Sequence, residues 1–280
     1  MPEAPTFVIV GHVTKDVVSG GFRVGGTANF AGPMAANLGE RVGVVTSAAD
    51  DADFAAALPG IQIHRIPAAN TSTFENRYVE GGRIQYIRAV ADPLDAASVP
   101  EAWRGALTAL LAPLTNEVMP GVEAAFPSAQ LAATPQGWFR RWDADGLVRL
   151  EGWERVVDRL ARLDAVILSE DDVMRDEATI DLLRRRLPLL VVTRSSRGGT
   201  LYLDGQATAY PAFPANEVEP TGAGDAFAAA FLVELRRGRD PFRACVFASC
   251  AASFVVEAPG ARGVPTAEQI GRRLAENGHG

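Results

Sequence analysis

Four short β-branched runs, Phe7–Val10 (FVIV), Val42–Thr46 (VGVVT), Ala165–Leu168 (AVIL) and Leu189–Thr193 (LLVVT), constrain this chain more than any other feature. Between the first two lies ANFAGPMAANLGE, residues 28–40, of helical composition. Pro33 conflicts with an unbroken helix there, so the helix starts late or kinks. The later runs are framed by helix-like segments at Trp153–Leu163 and Glu177–Leu187, and upstream come a strand at Ala106–Leu111, helix-like PGVEAAF and strand-like AQLAAT. Strands alternating with helices predict a mostly parallel sheet covered on both faces, with ligands beyond the carboxyl ends of the strands. Residues 60–90 alternate instead around turn signals such as Gly81-Gly82 and predict hairpin strands in a lid or small sheet. A hairpin (TLYLDGQATAYPAF), a glycine loop and two apolar helices complete the chain; without a repeat or linker, residues 1–280 read as one domain.

Composition narrows the classes of function. With 280 residues, 48% hydrophobic and 22% charged, the chain can bury a full core. A net charge of −7 and a pI near 5.1 argue against a nucleic-acid or anionic-membrane surface. Arg184, Arg185 and Arg186 read as a solvated helix face, and Lys15 is the single lysine, so basic chemistry falls to arginine. Cys245 and Cys250 sit in apolar ACVFASCAASFVV and read as buried thiols of a reducing cytoplasm. His12, His64 and His279 form no zinc-binding cluster. The opening MPEAPTFVIVGH lacks a signal peptide's basic region, and no apolar stretch reaches the roughly 20 residues of a membrane span. The expectation is a soluble cytoplasmic protein.

The chemistry concentrates in EPTGAGDAF, residues 219–227, followed by the helix formers AAAFLVELRRG. One reading is a helix start, with Asp225 at the positive end of the dipole. It leaves Gly222, Ala223 and Gly224 unexplained. Small residues let the unpaired N–H groups of a helix N-terminus approach an anion closely. A carboxylate in the same turn fits if it takes a proton from the group attacking that anion. The P-loop, dinucleotide and protein-kinase signatures are all missing, so any phosphate hole is this loop.

Two motifs together resemble those of the ribokinase-like (PfkB) carbohydrate kinases, over nearly the whole chain. GGTANFAGPMAANLG at Gly25–Gly39, preceded by Asp16, resembles the N-terminal motif, and EPTGAGDAF resembles the C-terminal DTxGAGDxF. The resemblance implies a three-layer α/β/α fold with a mostly parallel central sheet and a small β lid, contributed mainly by residues 60–90. It also implies an ATP-dependent kinase using magnesium. Gly222, Ala223 and Gly224 would form the anion hole and Asp225 the base, in keeping with a reaction that needs positioning and charge stabilisation. Asp16 and Asn29 match positions that hydrogen-bond sugar hydroxyls, with Gly25 and Gly26 admitting the acceptor near backbone; singly, a turn and a helix cap would explain the Asp and the Asn.

VTRSSRGG, residues 192–199, resembles the strand-end segment under ATP, placing Thr193, Arg194, Ser195 and Gly198 at the nucleotide, with Ser195 where glycine is usual. The magnesium-linked NxxE element is present only as SEDD, which assigns metal contact to Glu170 and Asp172, although such an acid cluster equally suits a helix start. Glu219 and Thr221, with APGARG at 258–263, resemble a monovalent-cation site, in which glutamate replaces the usual aspartate and puts potassium in question. TPQGWFRRWDADGLV resembles a stretch of the inositol-kinase-like branch and brings Gln136 and Arg140 to the acceptor; the bland reading makes Trp138, Phe139 and Trp142 core aromatics with polar decoration. The expected acceptor is a sugar or cyclic polyol. The rivals are a nucleoside kinase, with Phe74 or Tyr86 stacking on a base, and a binding protein that keeps the fold. A homodimer through the lid strands is expected.

Overall fold

The computed structural model describes residues 3–79, 82–150 and 152–279. Its strands are β1 (Phe7–Val10), β2 (Thr14–Val18), β3 (Gly21–Gly25), β4 (Val42–Ala48), β5 (Gln62–Pro67), β6 (Thr73–Val79), β7 (Gly82–Ala89), β8 (Thr108–Leu111), β9 (Gln130–Ala133), β10 (Arg140–Trp142), β11 (Val148–Leu150), β12 (Ala165–Ser169), β13 (Leu189–Thr193), β14 (Gly199–Leu203) and β15 (Gln206–Tyr210). The helices are α1 (Ala28–Asn37), α2 (Phe54–Ala57), α3 (Val157–Leu160), α4 (Glu177–Arg186), α5 (Ala223–Arg236), α6 (Pro241–Val255) and α7 (Ala267–Glu276).

Nine strands form one sheet in the order β15-β14-β13-β12-β9-β8-β1-β4-β5, parallel from β13 to β5 and closed at one edge by the antiparallel β14 and β15. Alternation along each buried strand divides the core in two. Phe7, Ile9, Leu189 and Val191 pack with α1, α5 and α6, whereas Val8, Val10, Leu190 and Val192 pack on the opposite layer with Leu160 of α3 and Ile180 of α4. This is the expected α/β/α arrangement. Cys245 and Cys250 are buried, free thiols within the first of these layers. No helix among the described residues is long and apolar enough to cross a membrane.

Four strands, in the order β3-β2-β6-β7, stand apart as the lid. The lid therefore differs from the expected span: residues 14–25 supply half of it, and β5, expected within it, is the edge strand of the main sheet beside β4. Edge exposure explains the difference, because the half-buried β5 carries polar residues, Gln62, His64 and Arg65, as lid strands do. Of the expected Gly81-Gly82 turn, Gly81 lies outside the described residues. A small apolar cluster of Phe74, Ile87 and Leu114, with Trp142 and Val148 against it, joins the lid to the β10–β11 hairpin. Helix α1 runs through Pro33, and the expected helix at 153–163 is a short 3-10 turn followed by α3.

Candidate active site

The carboxyl ends of β1, β8, β9, β12 and β13 open beneath the lid onto a cavity of about 260 Å³. Its base is the N-terminus of α5. Gly222 occupies the N-cap position at φ 83°, a left-handed conformation, and no side chain caps the helix, so the first-turn N–H groups lack a side-chain partner. A Cβ on Gly222 would overlap the Phe30 ring of α1, whereas one on Gly224 would meet nothing within 4 Å. The first glycine is thus required by the protein's own packing; at the second the space is left open to a ligand.

Asp225 lines this cavity in the first turn of α5. Its pKa is pushed up to about 6. Burial is the largest cause, the nearby Asp172 carboxylate adds to it, and the Thr27 hydroxyl and the Arg140 guanidinium oppose it. Arg140 is buried, donates to Leu114 O (3.2 Å) and to Gln136 Oε1 (2.7 Å), and lies over the Phe74 ring. The two polar residues anticipated from TPQGWFRRW are therefore brought together in the cavity wall, while Trp138 and Phe139 between them are core aromatics. Trp142, the third aromatic of that segment, is only half-buried, against the lid cluster.

From the lid, Asp16 faces the cavity on β2, as do Asn76 on β6 and Gln85 on β7. The last two were missed in the sequence. They are cross-strand partners, with Gln85 Nε2 donating to Asn76 Oδ1 at 3.0 Å, and their only sequence signal is polarity at alternate positions beside Phe74 and Ile87. Gly26 lines the cavity, but Gly25 does not; a Cβ on Gly25 would collide with Asp16 Oδ2, so that glycine makes room for the aspartate rather than for a ligand. Asn29 also lies outside the cavity lining, and its amide donates to Val24 O (3.3 Å).

A second cavity of about 280 Å³ adjoins the first, sharing Ser169, Thr193, Pro220 and Gly224. Thr193, Ser195, Gly198 and Ala223 line it, with Phe213 and Phe227. Ser195 adopts φ 49°, so the serine stands in a conformation that glycine favours. Arg194 turns away, donating to Thr200 Oγ1 at 2.5 Å and pairing with Glu170 at 3.4 Å. A small, partly aromatic groove leading to uncapped helix amides fits a nucleoside triphosphate lying along both cavities.

The acid cluster separates. Asp172 lines the first cavity and accepts from Ser169 N at 2.8 Å, closing a capping box. Glu170 is buried and absent from both cavity linings, its carboxylate taken by Arg197 and Arg194. Asp172 therefore fits a hydrated magnesium beside the triphosphate, and Glu170 does not. Among the described residues no group of three or more His, Cys, Asp or Glu side chains could hold a metal by itself.

The anticipated cation site is likewise altered. Thr221 lines the first cavity, but the Glu219 carboxylate is gripped by both terminal nitrogens of Arg23, from β3, and Oε2 also accepts from Gly260 N at 3.0 Å. The Arg23 guanidinium is the main cause holding the Glu219 pKa below the usual carboxylate range. A monovalent cation does not fit a carboxylate so engaged.

Behind the cavity the sequence concealed one further network. His12 accepts from the Ser72 hydroxyl at Nδ1 (2.7 Å) and donates from Nε2 to Asp92 O (3.0 Å), holding the chain where it enters the lid and where it leaves. Buried Glu117 accepts from the N–H groups of His12, Leu114 and Thr115 at 2.7–3.0 Å, fixing two strand ends at the cavity rim.

Comparison with known proteins identifies the fold. Over 95% of the chain and 99% of the other, the fold matches that of a "pyrophosphate-dependent kinase in the ribokinase family complexed with a pyrophosphate analog and myo-inositol", with a TM-score of 0.80 at 22% identity. The fold is the ribokinase fold. Residues 166–267, which include the glycine loop and Asp225, match the profile of the pfkB family carbohydrate kinases. It is 28% identical to the cytidine kinase of Thermococcus kodakarensis over 85% of this chain and 91% of that one. To the inositol 3-kinase of Zea mays it is also 28% identical, over 82% of this chain and 66% of that one. A 35%-identical match to a nucleoside kinase of Methanocaldococcus jannaschii spans 35% of this chain and about a third, 33%, of that relative's length.

Proposed function

We propose that this protein is a kinase that moves the γ-phosphoryl group of ATP to a hydroxyl of a sugar or cyclic polyol, with an inositol-like ring as the preferred acceptor. The observation that carries the proposal is the meeting, in one cavity, of a carboxylate with its pKa near 6 and an uncapped helix N-terminus, beneath a polar lid. Asp225 takes the proton of the attacking hydroxyl, and the amides of Gly222–Gly224 stabilise charge on the transferring group. Asp16, Asn76, Gln85, Gln136 and Arg140 supply donors and acceptors on several sides of an acceptor, which suits a ring bearing many hydroxyls. Thr193, Ser195 and Gly198 bed the nucleotide. Magnesium, when bound with ATP beside Asp172, screens the phosphate charge.

A nucleoside acceptor is the second reading, favoured by the likeness to the cytidine kinase and by Phe74 in the cavity wall. Against base stacking, Arg140 lies over the Phe74 ring, and Tyr86 is flanked by Arg77 and Arg88 and does not line the cavity. An ADP-release screen with ATP and magnesium across inositols, pentoses, hexoses and nucleosides separates the two. Turnover of nucleosides alone would reject the polyol assignment, and no turnover with any acceptor would favour a binding protein. For the preferred acceptor, kcat/KM is expected to be flat above about pH 6 and to fall about tenfold per unit below it, as Asp225 gains its proton. A profile still flat at pH 5 would remove Asp225 from the role of base.

A homodimer through the lid belongs to the same reading, supported by exposed Val17, Phe22 and Ile84 on its strands, and a cytoplasmic setting is supported by the two free thiols.

A further inference from the structure

Arg23 and Glu219 lie 196 positions apart in sequence, one on an edge strand of the lid and the other two residues before the cavity-lining Thr221. Both guanidinium ends meet the carboxylate, and the same carboxylate accepts the Gly260 N–H of the 258–263 loop. Three separate pieces of chain thus converge on one glutamate: the lid, the segment leading into α5, and the turn after α6. Pro220 follows immediately and limits how far the glutamate can swing from that turn. The positive charge facing this carboxylate is covalently part of the chain, planar and bidentate, which gives it a defined direction that a spherical ion lacks.

We propose that Arg23 is a resident cation: it neutralises Glu219 and holds the 219–222 segment in place, so that phosphoryl transfer proceeds without added potassium and with the lid edge tied to the anion hole. Arg23 is a positioning residue, acting through Glu219 on the amides that begin at Gly222. The inference rests on the kinase reading for its catalytic half, and its structural half stands apart from it.

The test uses the full chain and Arg23→Ala, Arg23→Lys and Glu219→Gln, in potassium chloride and in tetramethylammonium chloride at equal ionic strength. Melting temperature is read first, without substrates. The wild type is expected to melt at the same temperature in both salts, whereas Arg23→Ala melts lower in tetramethylammonium and is raised specifically by potassium, which can now reach Glu219. A potassium-specific rise in the wild type, or none in Arg23→Ala, overturns the proposal. ADP release with an accepted polyol is read second. Wild-type kcat is expected to be the same in both salts; Arg23→Ala loses kcat roughly tenfold in tetramethylammonium, with KM little changed, and regains it in potassium. Arg23→Lys keeps much of the potassium independence, and Glu219→Gln loses kcat without potassium rescue. If kcat of Arg23→Ala matches the wild type in both salts, the pair is a surface contact only and the proposal fails. If the wild type turns over no acceptor, the kinase reading fails while the melting data still decide whether Arg23 occupies a cation's place.

Discussion

On the proposed kinase reading, Asp225→Asn is expected to lower kcat on the order of 10³-fold while leaving the KM for the acceptor nearly unchanged, because the proposed base acts on the proton released in the transition state. The same substitution stabilises the folded protein at neutral pH. Burial holds the Asp225 pKa at about 6, above its unfolded value, so the protonated form is the one that folding favours. The stability associated with that proton is complete below about pH 4 and is lost as pH rises through 6. Asparagine carries no charge to desolvate, and above pH 6 the variant gains on the order of 2 kcal/mol. Below pH 4 it gains nothing. Thermal melts of both proteins at pH 4 and pH 8 check this, and a variant less stable than the wild type at pH 8 would show that the carboxylate is structural. A loss of stability together with retained kcat would remove Asp225 from both roles.

Gly222→Ala is expected to be the more damaging change to the fold. A side chain at φ 83° is strained by about 1–2 kcal/mol before anything is touched. In addition the new methyl group overlaps the Phe30 ring, so either α1 or the start of α5 must move. Together these cost about 3 kcal/mol, a fall in Tm of several degrees for a chain of this size. The amides shift with the helix start, so kcat also falls. Gly224→Ala serves as the control: its Cβ meets no protein atom, so the melting temperature is retained and any loss appears in ATP-dependent turnover. Equal melting losses in both variants would contradict the packing role given to Gly222.

The parts of this molecule readable from sequence are those in which one local rule decides. β1 and β13 match their apolar runs to the residue, because strands buried on both faces leave no polar position to blur their ends. The glycine loop was legible as a helix start, since Gly222 stands at the N-cap of α5 directly before an apolar helix. The lid was half read. Its first hairpin carries Lys15, Asp16 and Arg23 on short, exposed strands, with no apolar run to mark it, and β2 pairs with β6 some 58 residues away. The helix expected at 153–163 fails after Gly152, whose left-handed backbone introduces a 3-10 turn and leaves α3 a single turn. Glu170 looked like a metal ligand because an acidic run at a strand end is the same string whether it faces an ion or a guanidinium, and the arginine that decides the matter is Arg197. Glu219 posed the same problem at longer range.

The lid carries Asp16, Asn76 and Gln85, whereas Asp225 and its amides belong to the body, and the two are joined through the His12 clamp and the Arg23–Glu219 tie. Under the proposed kinase reading, selection can redraw part of the list of accepted hydroxyls by changing the lid strands while Asp225 and the α5 amides are inherited intact. A scaffold divided in this way is free to diversify its diet without relearning its chemistry.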